Sequence, residues 1–294
     1  MDEPRGVTTP PEETRIDEPL VASLLQDQHP DLAGEPLRFV THGWDNVTWR
    51  LGDILAVRLP RREMAAELLT KEQQWLPSIA ARLPLEVPSP VRVGLPGNGY
   101  PWHWSVVRWI EGETLDRSPA APTEARRWGE TLASLHTVAP AHAPVNPHRA
   151  QGLPVERFQT RIRSAGCDVA AAGSRLVPLV RAAARLPRPQ PRWVHGDLHP
   201  RNVLGRDGRI LAIIDWGDLT AGDPATDLAS MWLLFEPGRH DEVIEGYGGV
   251  DGDTLIRSRA WAAHIGSLLA SITDDAAHVE VGERTLQRLL DADL

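Results

Sequence analysis

The chain is short of several things. In 294 residues it has one cysteine, one lysine, two tyrosines and three phenylalanines. The lone Cys167 excludes an intramolecular disulfide and any zinc site built on several cysteines, and it is expected to be inert. No apolar run approaches the ~20 residues of a membrane helix, so no membrane partner is expected. The opening run MDEPRGVTTPPEETRIDEPL lacks the basic start and apolar stretch of a secretory signal, and a cytoplasmic protein is the expectation. Basic charge is also scarce. Against 31 Lys and Arg stand 40 Asp and Glu, a net charge of −9, which argues against nucleic acid as a partner because backbone binding needs a basic face.

What is present is the composition of an ordinary globular protein, 41% hydrophobic and 24% charged, long enough to bury a large core. All basic residues except Lys71 are arginines, and eleven tryptophans stand out. Most tryptophans are expected in the core, with Trp44, Trp232 or Trp261 as alternatives that would wall a substrate pocket. Charge is uneven. Residues 195–294 carry 8 basic and 18 acidic groups, which would attract a cationic small molecule if the acids share a face, or would simply solubilise the surface.

Periodicity divides the chain. Residues 1–18 read as a flexible tail and 19–28 as a short amphipathic helix. Runs 37–40, 47–51 and 54–59 read as strands, the last two antiparallel about Gly52-Asp53. Residues 62–76 read as a helix, with Met64, Leu68, Leu69 and Trp75 inward and Pro77 ending it. Two more strands fall at 91–93 and 103–109. Beyond Gly112 helices dominate: 122–138, a pair within 154–186 broken near Gly166 or Gly173, and everything after Pro224. The stretch 138–154 reads as loop or linker. A short strand at 193–194 and a β-ribbon at 203–204 and 210–214 interrupt the helices. This is an α+β pattern with a β-rich region at 19–109 and a mostly helical region at 110–294.

The chemistry concentrates in 193–227, WVHGDLHPRNVLGRDGRILAIIDWGDLTAGDPATD. A metal site on His195, Asp197 and His199 lacks any supporting Cys or distal His cluster. A hydrolase would need a nucleophile, and there is no G-x-S-x-G elbow. Phosphoryl transfer explains more residues at once. It needs a carboxylate to accept a proton from a hydroxyl, hard oxygen ligands for Mg²⁺, and cations for phosphates. Asp197 on a loop, Asn202 five residues on, and Asp215 at the end of an apolar strand supply the first two. His199 reads as a solvent-exposed loop residue.

The ordered set H-x-D-x-x-x-x-N, I-I-D-W-G and D-P-x-x-D, together with Gly43-Trp44-Asp45-Asn46, resembles the aminoglycoside phosphotransferase and choline-kinase-like family of small-molecule kinases over roughly residues 36–290. The resemblance implies a bilobal protein-kinase-like fold: N-lobe 19–109 for nucleotide, C-lobe 110–294 for catalysis and acceptor. It implies Asp197 as catalytic base, Asn202 and Asp215 as Mg²⁺ ligands, and His195 and Asp227 as structural supports of the catalytic loop. The loop with Gly43 and Asn46 would cover the phosphates of ATP or GTP, and the Arg108 carbonyl and Ile110 amide would face the base. Arg58 stands where such kinases carry lysine, with Glu72 as its ion-pair partner, and Arg is not a neutral swap for Lys. Asp45 would repel phosphate unless it points away or caps a turn. Asp218, Glu236 and Asp274 are candidates to read a cationic acceptor, an antibiotic first, such as an aminoglycoside or a macrolide. A housekeeping kinase of an amino alcohol or sugar derivative, and a nucleotide-binding pseudokinase, are the alternatives.

Overall fold

The computed structural model describes residues 8–164, 169–272 and 274–292; the expectations for Gly166 and Cys167 lie outside the described residues. The chain forms two compact units. One comprises Thr9–Glu111 with Ile213–Gly217, and the other gathers Gly112–Ala212 and the chain from Asp218 onward.

The first unit holds α1 (Glu18–Gln28), β1 (Leu37–His42), β2 (Asn46–Leu51), β3 (Leu55–Pro60), α2 (Glu63–Ala80), β4 (Pro90–Gly94) and β5 (Trp104–Arg108). Its strands make one antiparallel sheet in the order β1-β2-β3-β5-β4. Asp17 caps α1, its carboxylate accepting from the Leu20 amide at 3.2 Å. Gly52, at φ +58°, turns β2 into β3, a backbone region where a side chain is disfavoured. Strand alternation then sorts β3 by face. Val57 and Leu59 join Val21, Leu24, Leu25, Trp49 and Trp104 in a core under α1, while Arg58 points the other way, to Glu72 of α2.

Helix α2 departs from expectation. It continues through Pro77 to Ala80. The proline removes one intrahelical bond, but Leu76 and Ile79 on either side of it are fully buried, and about 2 kcal/mol from each holds the last turn in place. Met64 is exposed and the inner face is Ala65, Ala66, Leu69, Glu72, Leu76 and Ile79.

The second unit is mostly helical. It runs β6 (Glu113–Thr114), α3 (Ala125–Leu135), α4 (Val155–Ser164), α5 (Val169–Ala183), β7 (Arg192–Val194), β8 (Val203–Arg206), β9 (Arg209–Ile213), β10 (Thr220–Gly222), α6 (Ala225–Leu228), α7 (Ser230–Leu234), α8 (His240–Tyr247), α9 (Gly252–Leu269) and α10 (Ala276–Asp291). Gly173 lies inside α5 and breaks nothing. Strands β6, β8 and β9 form one small sheet, and β10 pairs antiparallel with β7. Gly129 and Gly246 let α3 and α8 touch backbone to backbone: a Cβ on either would sit 2.0 Å from a carbonyl of the other helix. Trp128 and Trp216 are fully buried, and Trp232 and Trp261 nearly so. No helix among the described residues is long and apolar enough to cross a membrane.

Candidate active site

The loop after β7 is held from below. The Asp227 carboxylate, at the start of the α6–α7 helical segment, accepts the backbone N–H of His195 at 2.7 Å and of Gly196 at 2.9 Å. It also lies 3.2 Å from Nε2 of His136, whose Nδ1 is 2.9 Å from the Tyr247 hydroxyl. All of Asp227 is buried, so these donors have no alternative in water. Gly196 adopts φ +89°, and a Cβ there would meet the Asp218 carbonyl at 2.9 Å. The loop is thus bent tightly and its amides are consumed by one carboxylate. Asp227→Asn is expected to destabilise the fold by about 2 kcal/mol, because the amide NH₂ would face a backbone donor. Urea denaturation checks this; an unchanged midpoint would show that the two amides need no carboxylate.

The bend delivers Asp197, whose side chain is 21% exposed. Its Oδ2 is 3.4 Å from Arg149 Nη2 and 3.7 Å from His199 Nε2. Burial works against ionisation, but the charge of Arg149, the hydrogen bond and charge of His199, and the charge of His195 outweigh it. They hold the carboxyl well below the usual carboxylate range. The Asp197 amide donates to Nδ1 of His195 at 3.3 Å. Asn202 donates its Nδ2 to the Asp197 carbonyl at 2.9 Å, which leaves the amide oxygen as its acceptor end.

His199 corrects the sequence reading. It is buried, with Nδ1 accepting from the Arg201 amide at 3.3 Å and Nε2 3.3 Å from Asn202 Nδ2. Pro200 follows it and has no amide to offer, so the ring caps the 200–202 turn instead.

Sequence reasoning missed Arg149 altogether. It sits in the stretch read as linker, and its Nε donates to Asp218 Oδ2 at 2.9 Å while Nη2 faces Asp197. The loop that carries it is stitched to β10. Ala221 N–H donates to the Pro144 carbonyl at 2.9 Å, Asn146 N–H to Thr220 Oγ1 at 2.8 Å, and Gln151 Nε2 to the Ala221 carbonyl at 2.6 Å. No periodicity or composition marks such a residue.

The three acids expected to read an acceptor have separate surroundings. Asp218 is taken up by Arg149 and by Asn146 Nδ2 at 2.7 Å. Glu236 pairs with Arg288 of α10. Asp274 is exposed just ahead of α10. His195, Asp197 and His199 do not make a metal cluster either: among the described residues no group of three or more His, Cys, Asp or Glu could hold an ion.

In the first unit, Arg58 Nη1 donates to Glu72 Oε1 at 2.6 Å, and Arg58 Nη2 lies 3.9 Å from Asp215 Oδ1. Burial works against the Arg58 charge, but Glu72, then Asp215 and Asp45, more than offset it and raise its pKa. Asp215 itself sits at φ +60°, a strained backbone for a residue with a Cβ. The Trp216 indole, donating to the Ile213 carbonyl at 2.9 Å, closes that turn. The carboxylate is half exposed. By donor chemistry, the Asn202 amide oxygen in one unit and the Asp215 carboxylate in the other are each hard oxygen ligands of the kind Mg²⁺ takes while keeping water and phosphate for its other positions. Gly43 closes the turn between β1 and β2, its N–H donating to the Asn46 carbonyl at 2.8 Å. Asp45 does not point at this turn unpaired: Arg62 Nη2 holds it at 2.6 Å. Arg108 ends β5, and the Trp109 amide donates to Ile54 at 2.9 Å before the buried Ile110.

Comparison with known proteins places this geometry. The model of the phosphotransferase enzyme family matches residues 36–264. The chain belongs to that family and is an enzyme of the small-molecule kinase class. Solved structures share its kinase-like α+β fold. The GDP and kanamycin complex of APH(2")-IIia aligns with TM-score 0.67 and 20% identity, covering 92% of this chain and 97% of that one. The macrolide 2'-phosphotransferase MphH from Brachybacterium faecium aligns with TM-score 0.61 and 22% identity, covering 95% and 100%. The uncharacterized protein YcbJ of Bacillus subtilis (strain 168) is 31% identical over 98 residues, which span 32% of this chain and 28% of that relative.

Proposed function

We propose that the enzyme moves the γ-phosphoryl group of ATP or GTP to a hydroxyl of a small molecule in the cytoplasm. The observation that supports this best is the Asp197 carboxylate: ionised, partly exposed, and fixed by a loop whose amides are spent on Asp227. In this reading Asp197 accepts the hydroxyl proton as the phosphoryl group departs in line. Asn202 and Asp215 hold Mg²⁺, and Arg58, kept in place by Glu72, neutralises phosphate charge. The turn with Gly43 and Asn46 covers the phosphates, and the Arg108 carbonyl and Ile110 amide face the base. Bound Mg²⁺ supplies charge neutralisation on the phosphate oxygens. His195 and Asp227 act through the loop they support.

The solved relatives include complexes with GDP, ADP and aminoglycosides, and an antibiotic is one acceptor class to test. A cationic acceptor would rest on Asp218, Glu236 and Asp274, and two of these three are already paired with arginines. The test is release of nucleoside diphosphate from ATP or GTP, with and without Mg²⁺, over a panel of aminoglycosides, macrolides, amino alcohols and sugars. Release that requires both acceptor and Mg²⁺, and stops on adding EDTA, is the expected result. Tight nucleotide binding with no release under any acceptor would favour a nucleotide-binding module.

A further inference from the structure

The unit that carries Asp197 also holds two arginines, on α4, that no carboxylate among the described residues pairs with. Helix α4 sets Arg157 and Arg161 four residues apart, on one face of the helix, while Phe158 and Ile162 bury its other side. Arg161 Nη1 lies 3.4 Å from Nδ1 of His264 on α9. Among the described residues no carboxylate pairs with either arginine. Burial, with the charges of Arg157 and Arg149, pulls the Arg161 guanidinium down to about 10. His264 is only 4% exposed. Burial first, and then the charges of Arg161, Arg149 and Arg157, push its ring down to about 3, so it is neutral.

The hydrogen-bond direction follows. A neutral ring that accepts from Arg161 at Nδ1 carries its proton on Nε2. That N–H has no acceptor among the described residues. Arg157 and Arg161 repel one another along α4, whereas Arg149 is met by Asp197 and Asp218. Desolvated, mutually repelling cations of this kind gather at sites that take a ligand of opposite charge as well as in structural networks. Arg149 joins this group to the reaction centre, since the same guanidinium faces Asp197.

We propose that the acceptor carries an anionic group, a carboxylate, phosphate or sulfate, which binds between Arg157, Arg161 and the Nε2–H of His264 while its hydroxyl is presented to Asp197. This rests on the reading of Asp197 as the base, and it replaces the cationic acceptor expected from the acidic composition. The nucleotide's phosphates are the other source of such an anion, and the nucleotide Kd of Arg161→Gln separates the two.

Two measurements test it. Inorganic sulfate is titrated into the full chain while the His264 imidazole resonances are followed by NMR. A saturable shift is expected, weakened about tenfold in Arg161→Gln and also in the exposed Arg157→Gln, whose fold is not at risk. Absence of a saturable shift, or a shift indifferent to both substitutions, overturns the proposal. The second measurement is turnover on a charge-matched series: glucosamine, glucose, glucuronate and glucose 6-phosphate, choline and glycerate, with kanamycin and a macrolide. The anionic members are expected to lead, the two anion types separating carboxylate from phosphate recognition. Arg161→Gln should raise their KM about tenfold while kcat and the nucleotide Kd change little. Preference for cationic members, or an Arg161→Gln defect that appears in nucleotide affinity instead, overturns it. Cationic turnover that Asp197→Asn abolishes would sink this proposal and leave the kinase reading standing. Turnover that survives Asp197→Asn would remove Asp197 as the base on which this proposal rests, while the sulfate titration still reports on the anion site.

Discussion

Asp197→Asn is expected to lower kcat by about 10³-fold while the Kd for nucleotide stays within about twofold, since a positioned general base contributes on the order of 10²–10⁴. Asparagine keeps the size and the fold of the loop, because Asp227 grips the backbone of His195 and Gly196 rather than any side chain of the loop. What it loses is the negative oxygen at the end of a tight turn. The acid limb of the wild-type pH profile sharpens this test. Arg149, His199 and His195 hold the Asp197 carboxyl below its ordinary range against the effect of burial. The base therefore stays ionised, and kcat/KM should show no acid limb from Asp197 above about pH 4, the ordinary carboxylate value. The same shift bears on stability. A depressed folded-state pKa means that the carboxylate's contribution is complete above its unfolded value and is lost as pH falls through the lower folded value. Arg149→Ala should bring an acid limb into view by letting the carboxyl titrate higher. A profile that is the same in both proteins would show that Arg149 does not set the state of the base. Full turnover in Asp197→Asn would remove the residue from the mechanism.

The second large effect lies in the other unit. Glu72→Ala is expected to destabilise the protein by about 3–5 kcal/mol, because breaking a buried pair strands a charge. Arg58 is about one-tenth exposed and its remaining carboxylate, Asp215, is 3.9 Å away. Glu72 is buried on the inner face of α2, and its Oε2 already lacks a partner. The pair is therefore held by one short contact and is not a broad network. The double variant Arg58→Met with Glu72→Leu should recover much of the loss in stability, since an apolar pair of similar volume has no charge to strand. It should also bind nucleotide poorly, because the guanidinium assigned to the phosphates is gone. Urea denaturation and nucleotide titration on the two single variants and the double variant measure both. If Glu72→Ala unfolds like wild type, the ion pair contributes nothing measurable. If the double variant binds nucleotide normally, Arg58 does not touch phosphate.

How far a reader of the sequence gets depends on whether the signal is local. The β-rich first third and helical remainder follow from periodicity, because a strand alternates every two residues and a helix every 3.6 whatever they pack against. The Gly52 turn is readable because a φ of +58° selects glycine. Asp197, Asn202, Asp215 and Asp227 are readable as a set because their spacing spans one loop, one ribbon and one helix start. Helix α2 shows where local rules stop. Pro77 ends a helix on propensity, and burial of Leu76 and Ile79 carries it on to Ala80.

His199 and Arg149 mark the same limit at the site. His199 looks like an exposed loop residue because it lies in a stretch with neither strand nor helix period, yet Asn202, the Arg201 amide and Asp197 surround it. Arg149 sits 48 positions before Asp197 in a stretch without period, and only the bonds from Pro144, Asn146 and Gln151 to β10 bring it there. Net charge is the clearest case. The sequence by itself determined the α+β class, the phosphotransferase family and the carboxylates of the loop, all carried by short-range pattern. Only the tertiary structure decided which charges meet. An acidic final third suggests a cationic ligand, but Asp218 and Glu236 are met by Arg149 and Arg288, and among the described residues no acid pairs with Arg157 or Arg161. Composition counts charges, whereas electrostatic energy falls with the distance between them, and those distances exist only in the folded chain.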